Sequence, residues 1–555
     1  MKQRYFDLME RTLSAYSEQH ILRYFHEVKS QGLKEHGFPR LTANIGILIS
    51  YGRGTDLYDT FIEMMDFCCT NIPCVKAAND FSVKELVFCI MELEKTGAVP
   101  KGKLDQWKNQ LKSIIPQDCY TTYAVTPDED MNNWACFTAV SEFMRCYIGI
   151  ADTYDFIDIQ IATQLRLLDE NGMYMDPPGE PMVYDLVTRG LFAVLLHFGY
   201  NGKYKTEIDE CLRKTGLLTL KMQSVIGEIP YGGRSNQFPH NEAHLALIME
   251  FEANRYKMEG NMLLASQFKA AANRTLDSIT YWLYKEPTRH IKNRYPTETQ
   301  FGCETYAYFD KYMITLASFL YVANLFCDET IPAASKEMET CYTLTLSSHF
   351  HKLFLRSGAY FAEFDTKADM HYDASGLGRI HRKDAPPVIC LSTPCASKPS
   401  YKLGISNAVN LSLCPGVRVD GEVYYGEDPN SVYTLIEHCS TGEDAICAFT
   451  VDICGKKTVT ANYTLNDTGM AISIAGDGVL LHKIPAFCFD GEQESRIKGK
   501  GNVLEIYFDG WVCRYKASCE IKDTGKQAFN RNGLYKMFRA EAQNRIDLHI
   551  EICKC

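Results

Sequence analysis

The stretch Tyr312–Thr366, YMITLASFLYVANLFCDETIPAASKEMETCYTLTLSSHFHKLFLRSGAYFAEFDT, contains the change of pattern that decides the fold. Its first part, YMITLASFLYVANLF, carries apolar residues at i, i+3, i+4 and i+7, which is typical of an amphipathic helix. Its last part, SGAYFAEFDT, alternates apolar and polar residues, which is typical of a β-strand. The hydrophobic period therefore drops from a helical one to a strand one within this stretch.

The same change divides the whole chain. Before this point, amphipathic segments such as VKELVFCIMELEK (Val83–Lys95) and YDLVTRGLFAVLLHFGY (Tyr184–Tyr200) alternate with turn clusters. After it, segments such as DAICAFTVDICG (Asp444–Gly455) alternate and are rich in Val, Ile, Tyr and Thr. A block of helices followed by a block of strands predicts two segregated domains rather than an α/β fold. We expect a multidomain protein with a helical domain at 1–345 and an antiparallel β-sandwich at 346–555.

Composition excludes several classes of function. The chain has 555 residues and a formal net charge of −11 without a basic block, which argues against nucleic-acid binding. It contains no run of about 18 apolar residues that could span a membrane, and its first residues lack the apolar run of a signal peptide. Its 22 cysteines include no C-x-x-C pair, which favours reduced thiols over structural zinc. From these features we expect a cytoplasmic protein that contacts neither membrane nor nucleic acid.

Polar residues concentrate in EIPYGGRSNQFPHNEAHLALIMEFEANRY, Glu228–Tyr256. The sequence His240-Asn241-Glu242-Ala243-His244 is close to the H-E-x-x-H pattern of zinc helices. Here the glutamate comes one residue late, which turns it about 100° further round a helix and misplaces it as a base beside a metal. The pattern therefore disfavours a catalytic zinc.

The same segment favours an anion site. Asn236, His240 and Asn241 would lie at or near a helix N-terminus, where exposed N–H groups favour negative charge. Arg234, in the glycine-containing loop before the helix, offers a fork that matches a carboxylate. The alternative interpretation is that these residues only cap and brace the helix. The density of polar residues ahead of an apolar helix favours a functional site.

Further polar residues occur at other predicted helix starts. They add substrate-binding or catalytic candidates, namely Tyr184, Asp185 and Arg189, then Glu304, Tyr306 and Tyr308, and finally Trp134, which would suit sugar stacking. Core packing with a satisfied hydroxyl is the alternative interpretation for each tyrosine.

The strand half has one polar anomaly, DTKADMHYDASGLGRIHRKDAPP, Asp365–Pro387. It places His371, Arg379 and His381 around a predicted glycine-rich bend. A solvated surface loop would explain the charges, although two His and two Arg exceed what solvation needs. Alternatively, His371, Asp373 and His381 could form a divalent-metal site.

These clusters, on helices followed by a sandwich, make the chain resemble the heparinase II/III-like and oligoalginate lyases. That resemblance implies an (α/α) toroid at 1–345 that carries the catalytic residues. It also implies that the sandwich at 346–555 contributes a loop to the active site. Such enzymes cleave uronic-acid-containing glycans by β-elimination. For this chain we expect no cofactor.

The resemblance also implies roles for individual residues. Asn236 or Asn241, with Arg234, would stabilise the charge that develops when the C5 proton of a uronate leaves. A histidine and a tyrosine transfer the protons in such enzymes, and a sandwich histidine closes the site. The position that matches the histidine is His240. The tyrosine would be Tyr306 or Tyr308, with Tyr295 and Tyr312 as further candidates. The sandwich histidine would be His371 or His381.

Two other functions fit the same residues. Toroid-plus-sandwich β-glucuronidases are similar in architecture. A hydrolase would need two carboxyl groups, for which the candidates are Glu242, Glu304, Asp310, Asp176 and Asp185. A non-catalytic carbohydrate-binding protein is the remaining alternative. The expected partner is a uronic-acid oligosaccharide or a glucuronide, cleaved in exo fashion if the protein is cytoplasmic. An exposed sandwich edge could also support a homodimer.

Overall fold

The computed structural model describes residues 1–555 and contains fourteen α-helices followed by fifteen β-strands. The helices are α1 Lys2–Leu13, α2 Glu18–Gln31, α3 Gly37–Ser50, α4 Tyr58–Asn71, α5 Val83–Thr96, α6 Lys101–Lys112, α7 Pro116–Cys119, α8 Trp134–Tyr147, α9 Tyr154–Leu165, α10 Met182–His197, α11 Lys205–Met222, α12 Pro239–Met258, α13 Met262–Leu283 and α14 Phe309–Phe326. The strands are β1 Cys341–Thr345, β2 Lys352–Ser357, β3 Tyr360–Asp365, β4 Gly376–Arg382, β5 Pro415–Val419, β6 Glu422–Tyr425, β7 Val432–Thr441, β8 Asp444–Ile453, β9 Lys457–Asn466, β10 Gly469–Phe489, β11 Arg496–Lys500, β12 Val503–Phe508, β13 Trp511–Ala517, β14 Ile521–Asn530 and β15 Gly533–Lys554.

The chain forms two compact units. The first contains residues 1–218, 239–284 and 308–333, and the second contains residues 219–238, 285–307 and 334–555. Two segments from the helical half of the sequence, 219–238 and 285–307, thus group with the strands.

The first unit is a closed ring of helices. Helix α3 packs on α5, α5 on α8, α8 on α10, α10 on α12, α12 on α14, and α14 again on α3. All fourteen residues of α3 are buried, as expected for a helix that is covered on both flanks. Outer helices pack against this ring, for example α4 on α3, α9 on α8, and α13 on α12. The outer helix α1 buries only one stripe, which includes Tyr5, Leu8 and Met9.

The second unit is an antiparallel β-sandwich. One sheet has four strands in the order β1-β2-β3-β4, and the other has eleven strands with β15 and β10 at its centre. The sheets face each other through contacts of β1, β2 and β3 with β7, β8 and β9. Between them, the Phe364 ring lies 5.6 Å from that of Phe449 and 4.8 Å from that of Tyr463. A helical ring followed by an antiparallel sandwich is the fold class that the sequence predicts, which is therefore confirmed.

Strands β2, β3 and β4 of the four-stranded sheet are buried on both faces, because the segment 219–238 also covers this sheet. The backbone N–H of Tyr231 donates to Glu363 on β3 at 3.3 Å, and Arg379 on β4 donates to the carbonyl of Ile229 at 2.6 Å. The GLGR sequence, which we expected to form a bend, is part of the buried strand β4. Gly378 allows this because a Cβ there would lie 2.2 Å from the Tyr231 hydroxyl oxygen.

None of the fourteen helices combines the length and apolarity that crossing a membrane requires.

Candidate active site

In the first unit, the first turns of five ring helices meet at one end of the ring. Arg40 of α3 donates to Glu85 of α5 at 2.8 Å and to Thr315 of α14 at 2.9 Å. The ring of Phe81, just before α5, packs edge-on against Trp134, the first residue of α8, at 4.8 Å. Partial positive charge from several helix N-termini is thereby concentrated at this end.

Helix α12 brings its polar residues to the same end. The His240 ring lies 5.0 Å from the ring of Tyr312 on α14 and 6.1 Å from that of His244. His244 in turn lies 3.8 Å from Phe319. His240 is 5% exposed and Tyr312 is half-buried. The structure thus brings a predicted histidine together with one of the tyrosines that the sequence leaves as alternatives.

Cations surround these imidazoles. Burial, followed by the electrostatic effects of the neighbouring His240, Arg40 and Lys84 side chains, lowers the pKa of His244 well below its usual range. Burial and the charges of Arg40, Lys311 and Lys84 do the same to the pKa of His36, the residue before α3. Both rings are therefore neutral near pH 7. We call this group the ring-end cluster, which consists of His36, Arg40, Lys84, His240, His244 and Tyr312.

The other candidates in the first unit differ in exposure. Asn241 and Glu242 on α12 are fully buried. Asp185 and Arg189 form a buried ion pair within α10, with Arg189 Nε 2.9 Å from the Asp185 carboxylate. Asp185 also accepts from the backbone N–H of Tyr174 at 2.9 Å, so this pair fixes the segment before α10.

Two candidate aromatic residues of the first unit are only half-buried. Tyr184 lies in the first turn of α10. Tyr308 is the residue that precedes α14, and the Lys311 ammonium lies 4.5 Å from its ring centre.

The second unit contains a separate polar group around the loop 230–238. The backbone N–H of Ser235 donates to Glu304 at 2.6 Å, and the Ser235 hydroxyl lies 3.2 Å from that of Tyr306. Glu304 is also paired with the buried Arg531, whose two Nη atoms lie 2.6 and 3.0 Å from its oxygens. Tyr306 is 40% exposed, so its hydroxyl group lies at the surface above a buried ion pair.

The backbone of this loop is strained. Ser235 and Gln237 adopt φ of 57° and 65°, a left-handed region that costs non-glycine residues roughly 1 kcal/mol or more each. Local bonds hold the conformation. Asn236 donates to the carbonyl of Pro230 at 3.2 Å and accepts from Gln237 at 2.9 Å, and Gly233 N–H donates to Asp373 at 2.6 Å. Strain of this kind is found at functional sites, where neighbouring contacts enforce it.

Arg234 and Tyr372 lie close together on this surface. Burial and the charge of Glu304 raise the pKa of Tyr372, while the nearby guanidinium of Arg234 lowers it. Burial also raises the pKa of Asp373 to about 7, against the opposing effects of Lys352, Gly233 and Arg531. We call this group the loop cluster, which consists of Arg234, Ser235, Glu304, Tyr306, Tyr372, Asp373 and Arg531.

The predicted sandwich candidates are dispersed. His371 is exposed on its loop, with its Nδ1 2.8 Å from Asp369. His381 is buried on β4 between the hydroxyls of Ser224 and Ser392, both at 3.2 Å. Arg379 is fully buried and contacts Glu363 at 3.1 Å.

The structure contradicts the alternative of a divalent metal at His371, Asp373 and His381. No group of three or more His, Cys, Asp or Glu residues in the chain could hold a metal ion. His371 is exposed, whereas Asp373 and His381 are buried and bonded to other groups. The physical reason is that His381 lies within strand β4 rather than on the loop that carries His371.

Sequence reasoning missed four of the residues in these clusters. Arg40 and Lys84 stand in the first turns of their helices, and a single charge within GFPRLTANIGILIS could have drawn attention to α3. His36 precedes the same helix. Arg531 lies in the β14–β15 turn, and no local pattern connects it with Glu304.

Comparison with known proteins gives matches only among solved structures. No family model matches the chain, and no curated protein matches it. The chain is similar to heparinase III, with 8% identity, a TM-score of 0.40, and coverage of 86% of this chain and 77% of that one. It is similar to the heparan sulfate lyase HepC from Pedobacter heparinus, with 9% identity, a TM-score of 0.35, and coverage of 90% and 76%. A family 88 glycosyl hydrolase from Bacteroides vulgatus has 9% identity, a TM-score of 0.38, and coverage of 59% and 100%.

These similar structures are a heparinase, a heparan sulfate lyase and a glycosyl hydrolase. These TM-scores are too low to support an argument about this chain. Its fold is therefore described from its own ring and sandwich, and its chemistry from its own residues. The chain is a protein with a helical ring followed by an antiparallel β-sandwich.

Proposed function

We propose that this chain is a carbohydrate-active enzyme that cleaves uronic-acid-containing oligosaccharides by β-elimination. The observation that carries this proposal is the contact of the His240 ring with Tyr312, at 5.0 Å, within the ring-end cluster. An imidazole and a phenol side by side can take one proton and give another. Helix N-termini at the same end favour a negatively charged substrate.

The chemistry of a uronate needs such a setting. Its C5 proton is weakly acidic while the neighbouring carboxylate is charged, so a donor must stabilise the charge that develops on that carboxylate. We assign this role to Asn241, which directly follows His240 in the first turn of α12. His240 would then take the C5 proton, and Tyr312 would protonate the departing glycosidic oxygen.

The loop cluster supports recognition of the same substrate class. Arg234 offers a guanidinium fork for a carboxylate, and the exposed Tyr306 offers a hydroxyl and a ring beside it. Of the two candidate sandwich histidines, His371 is the exposed one, so we assign it rather than His381 to substrate contact. Exo action, which the sequence analysis predicts, is part of this proposal, and early release of internal fragments from a long polymer would contradict it.

One observation favours hydrolysis as the second candidate. The pKa of Asp373, raised to about 7 by burial, lets this carboxyl hold a proton near neutral pH, as a general acid must. Glu304 in the same cluster would be the second carboxyl group that a glycoside hydrolase requires. Its carboxylate lies 2.6 Å from the Arg531 guanidinium.

The deciding experiment follows ultraviolet absorbance while the protein is incubated with uronate oligosaccharides and glucuronides. β-Elimination creates a double bond conjugated with the carboxylate, so absorbance should rise. Saturated uronic acid released without that rise would establish hydrolysis and refute the lyase proposal.

Matched variants test the assigned residues. We expect His240→Ala and Tyr312→Phe each to lower turnover by about a hundredfold or more, the usual contribution of a general acid or base. The exposed residues His26 and Tyr147 provide controls, and His26→Ala and Tyr147→Phe should leave turnover unchanged. Unchanged turnover in both His240→Ala and Tyr312→Phe would remove these residues from the mechanism.

A further inference from the structure

A cavity of about 380 Å³ opens on the sandwich and shares no residue with the loop cluster. Its walls come from the β5–β6 hairpin, from β10, β14 and β15, and from the segment 397–410. We call it the sandwich pocket. Its size falls in the range of small-molecule sites, which begins at roughly 300 Å³.

A row of cations crosses this part of the sheet. On adjacent strands, Arg539 of β15 is paired directly with Lys483 of β10 on one side and with Lys522 of β14 on the other. Directly opposite side chains share a face and lie about 5 Å apart, where like charges destabilise the sheet. Lys526 is paired with Met537, two residues from Arg539, and therefore shares this face.

The neighbouring carboxylates only partly balance these charges. Glu427 is paired with Lys483, and both are buried in the pocket wall. Glu541 lies 3.4 Å from Arg539 Nε but already binds Arg418 at 2.8 Å. The carboxylates near these four cations are thus only two, Glu427 and Glu541, and Glu541 is shared with Arg418. The four cations are Lys483, Lys522, Lys526 and Arg539.

The remaining partners do not remove this excess. Lys522 lies 3.5 Å from Glu520, and both side chains are largely exposed, so this pair contributes little. Lys526 has no carboxylate within ion-pair distance. A cationic concavity is unusual on a chain whose formal net charge is −11, and it attracts anions.

We propose that the sandwich pocket binds an anionic sugar unit through its carboxylate or sulfate group. The Arg539 guanidinium is 29% exposed at the side chain and presents a fork that matches such an oxyanion. Lys526 adds a flexible ammonium. Tyr425, whose ring centre lies 4.4 Å from Lys483 Nζ, and Val423 supply apolar surface for a sugar ring.

This pocket is a binding site and not a second catalytic centre. The one carboxyl group in its wall, Glu427, is consumed by its ion pair with Lys483. Binding there would hold an anionic saccharide on the sandwich whether or not the protein cleaves uronates.

Isothermal titration calorimetry with glucuronate, inorganic phosphate and glucose tests the site. The wild-type chain should bind glucuronate saturably, with an affinity that falls as salt is added, and should not bind glucose. The double variant Lys526→Gln/Arg539→Gln should bind glucuronate about tenfold more weakly or worse, as expected when charge-assisted hydrogen bonds are lost. A Lys101→Gln/Lys500→Gln variant removes the same charge from exposed positions elsewhere and should bind like wild type.

Three results would overturn the proposal. They are no saturable glucuronate binding, equal affinity in the wild type and in the Lys526→Gln/Arg539→Gln variant, and equal affinity for phosphate and glucuronate. The last result would assign the pocket to a free oxyanion instead of a sugar. Because the readout is binding, these results leave the proposed cleavage untouched, and absence of cleavage leaves this site untouched.

Discussion

Replacing Asp373 by Asn should change how the stability of the protein depends on pH. Burial raises the pKa of this carboxyl from 3.8 to about 7 in the folded chain, where the residue is 5% exposed. The folded state therefore holds a proton that the unfolded state releases, and the stability from this group is complete below pH 3.8 and lost as the pH rises to about 7. The pKa difference of about 3, at about 1.4 kcal/mol per pKa unit, corresponds to about 4 kcal/mol.

Asparagine resembles the protonated carboxyl and keeps an acceptor for Gly233 N–H, so it should not incur this loss. Urea unfolding of wild type and Asp373→Asn between pH 4 and 8 measures the difference in the free energy of unfolding at each pH. We expect that difference to grow in favour of the variant by about 4 kcal/mol across this range. A difference that stays constant with pH would refute the raised pKa. Asp105→Asn, at an exposed position on α6, should show no such trend.

Three further substitutions test other parts of the structure by urea unfolding. Burial lowers the pKa of His482 from 6.5 to about 4. The neutral imidazole therefore lowers the free energy of unfolding as the pH falls from 6.5 towards 4. His482→Leu should remove about 3 kcal/mol of this loss of stability at acid pH. Glu304→Gln leaves the Arg531 charge buried without its partner and should cost about 3 to 5 kcal/mol. Gly378→Ala places a Cβ 2.2 Å from the Tyr231 hydroxyl oxygen, and this overpacking should cost about 1 to 3 kcal/mol.

Each of these three has a contradicting outcome. If the stability of His482→Leu falls at acid pH as much as that of the wild type, this imidazole is already protonated in the folded chain. Wild-type stability of Glu304→Gln would mean that water reaches Arg531. For Gly378→Ala, the matched control is Gly102→Ala, where a Cβ meets nothing within 4 Å on helix α6, and equal effects of the two would refute the close packing of Tyr231.

The candidate site could be predicted from the sequence only in part. Unusual local density of polar residues pointed to Arg234 and His240, and Glu304 and Tyr306 stood out in the same way. Sequence could not choose among the tyrosines, because His240 meets Tyr312 only through the packing of α12 on α14. Helix period alone also could not predict that Arg40 and Lys84 reach the same end of the ring.

The local period of hydrophobic residues determined which segments are helices and which are strands. A helical or a strand pattern repeats within a few residues and needs no distant partner. The sequence by itself therefore determined a helical part followed by an antiparallel sandwich. Tertiary structure alone decided that residues 219–238 and 285–307 group with the strands and that Arg379 and His381 are buried in β4. The reason is that these placements depend on contacts between residues far apart in sequence, such as Tyr231 with Glu363 and Glu304 with Arg531, which no local pattern encodes.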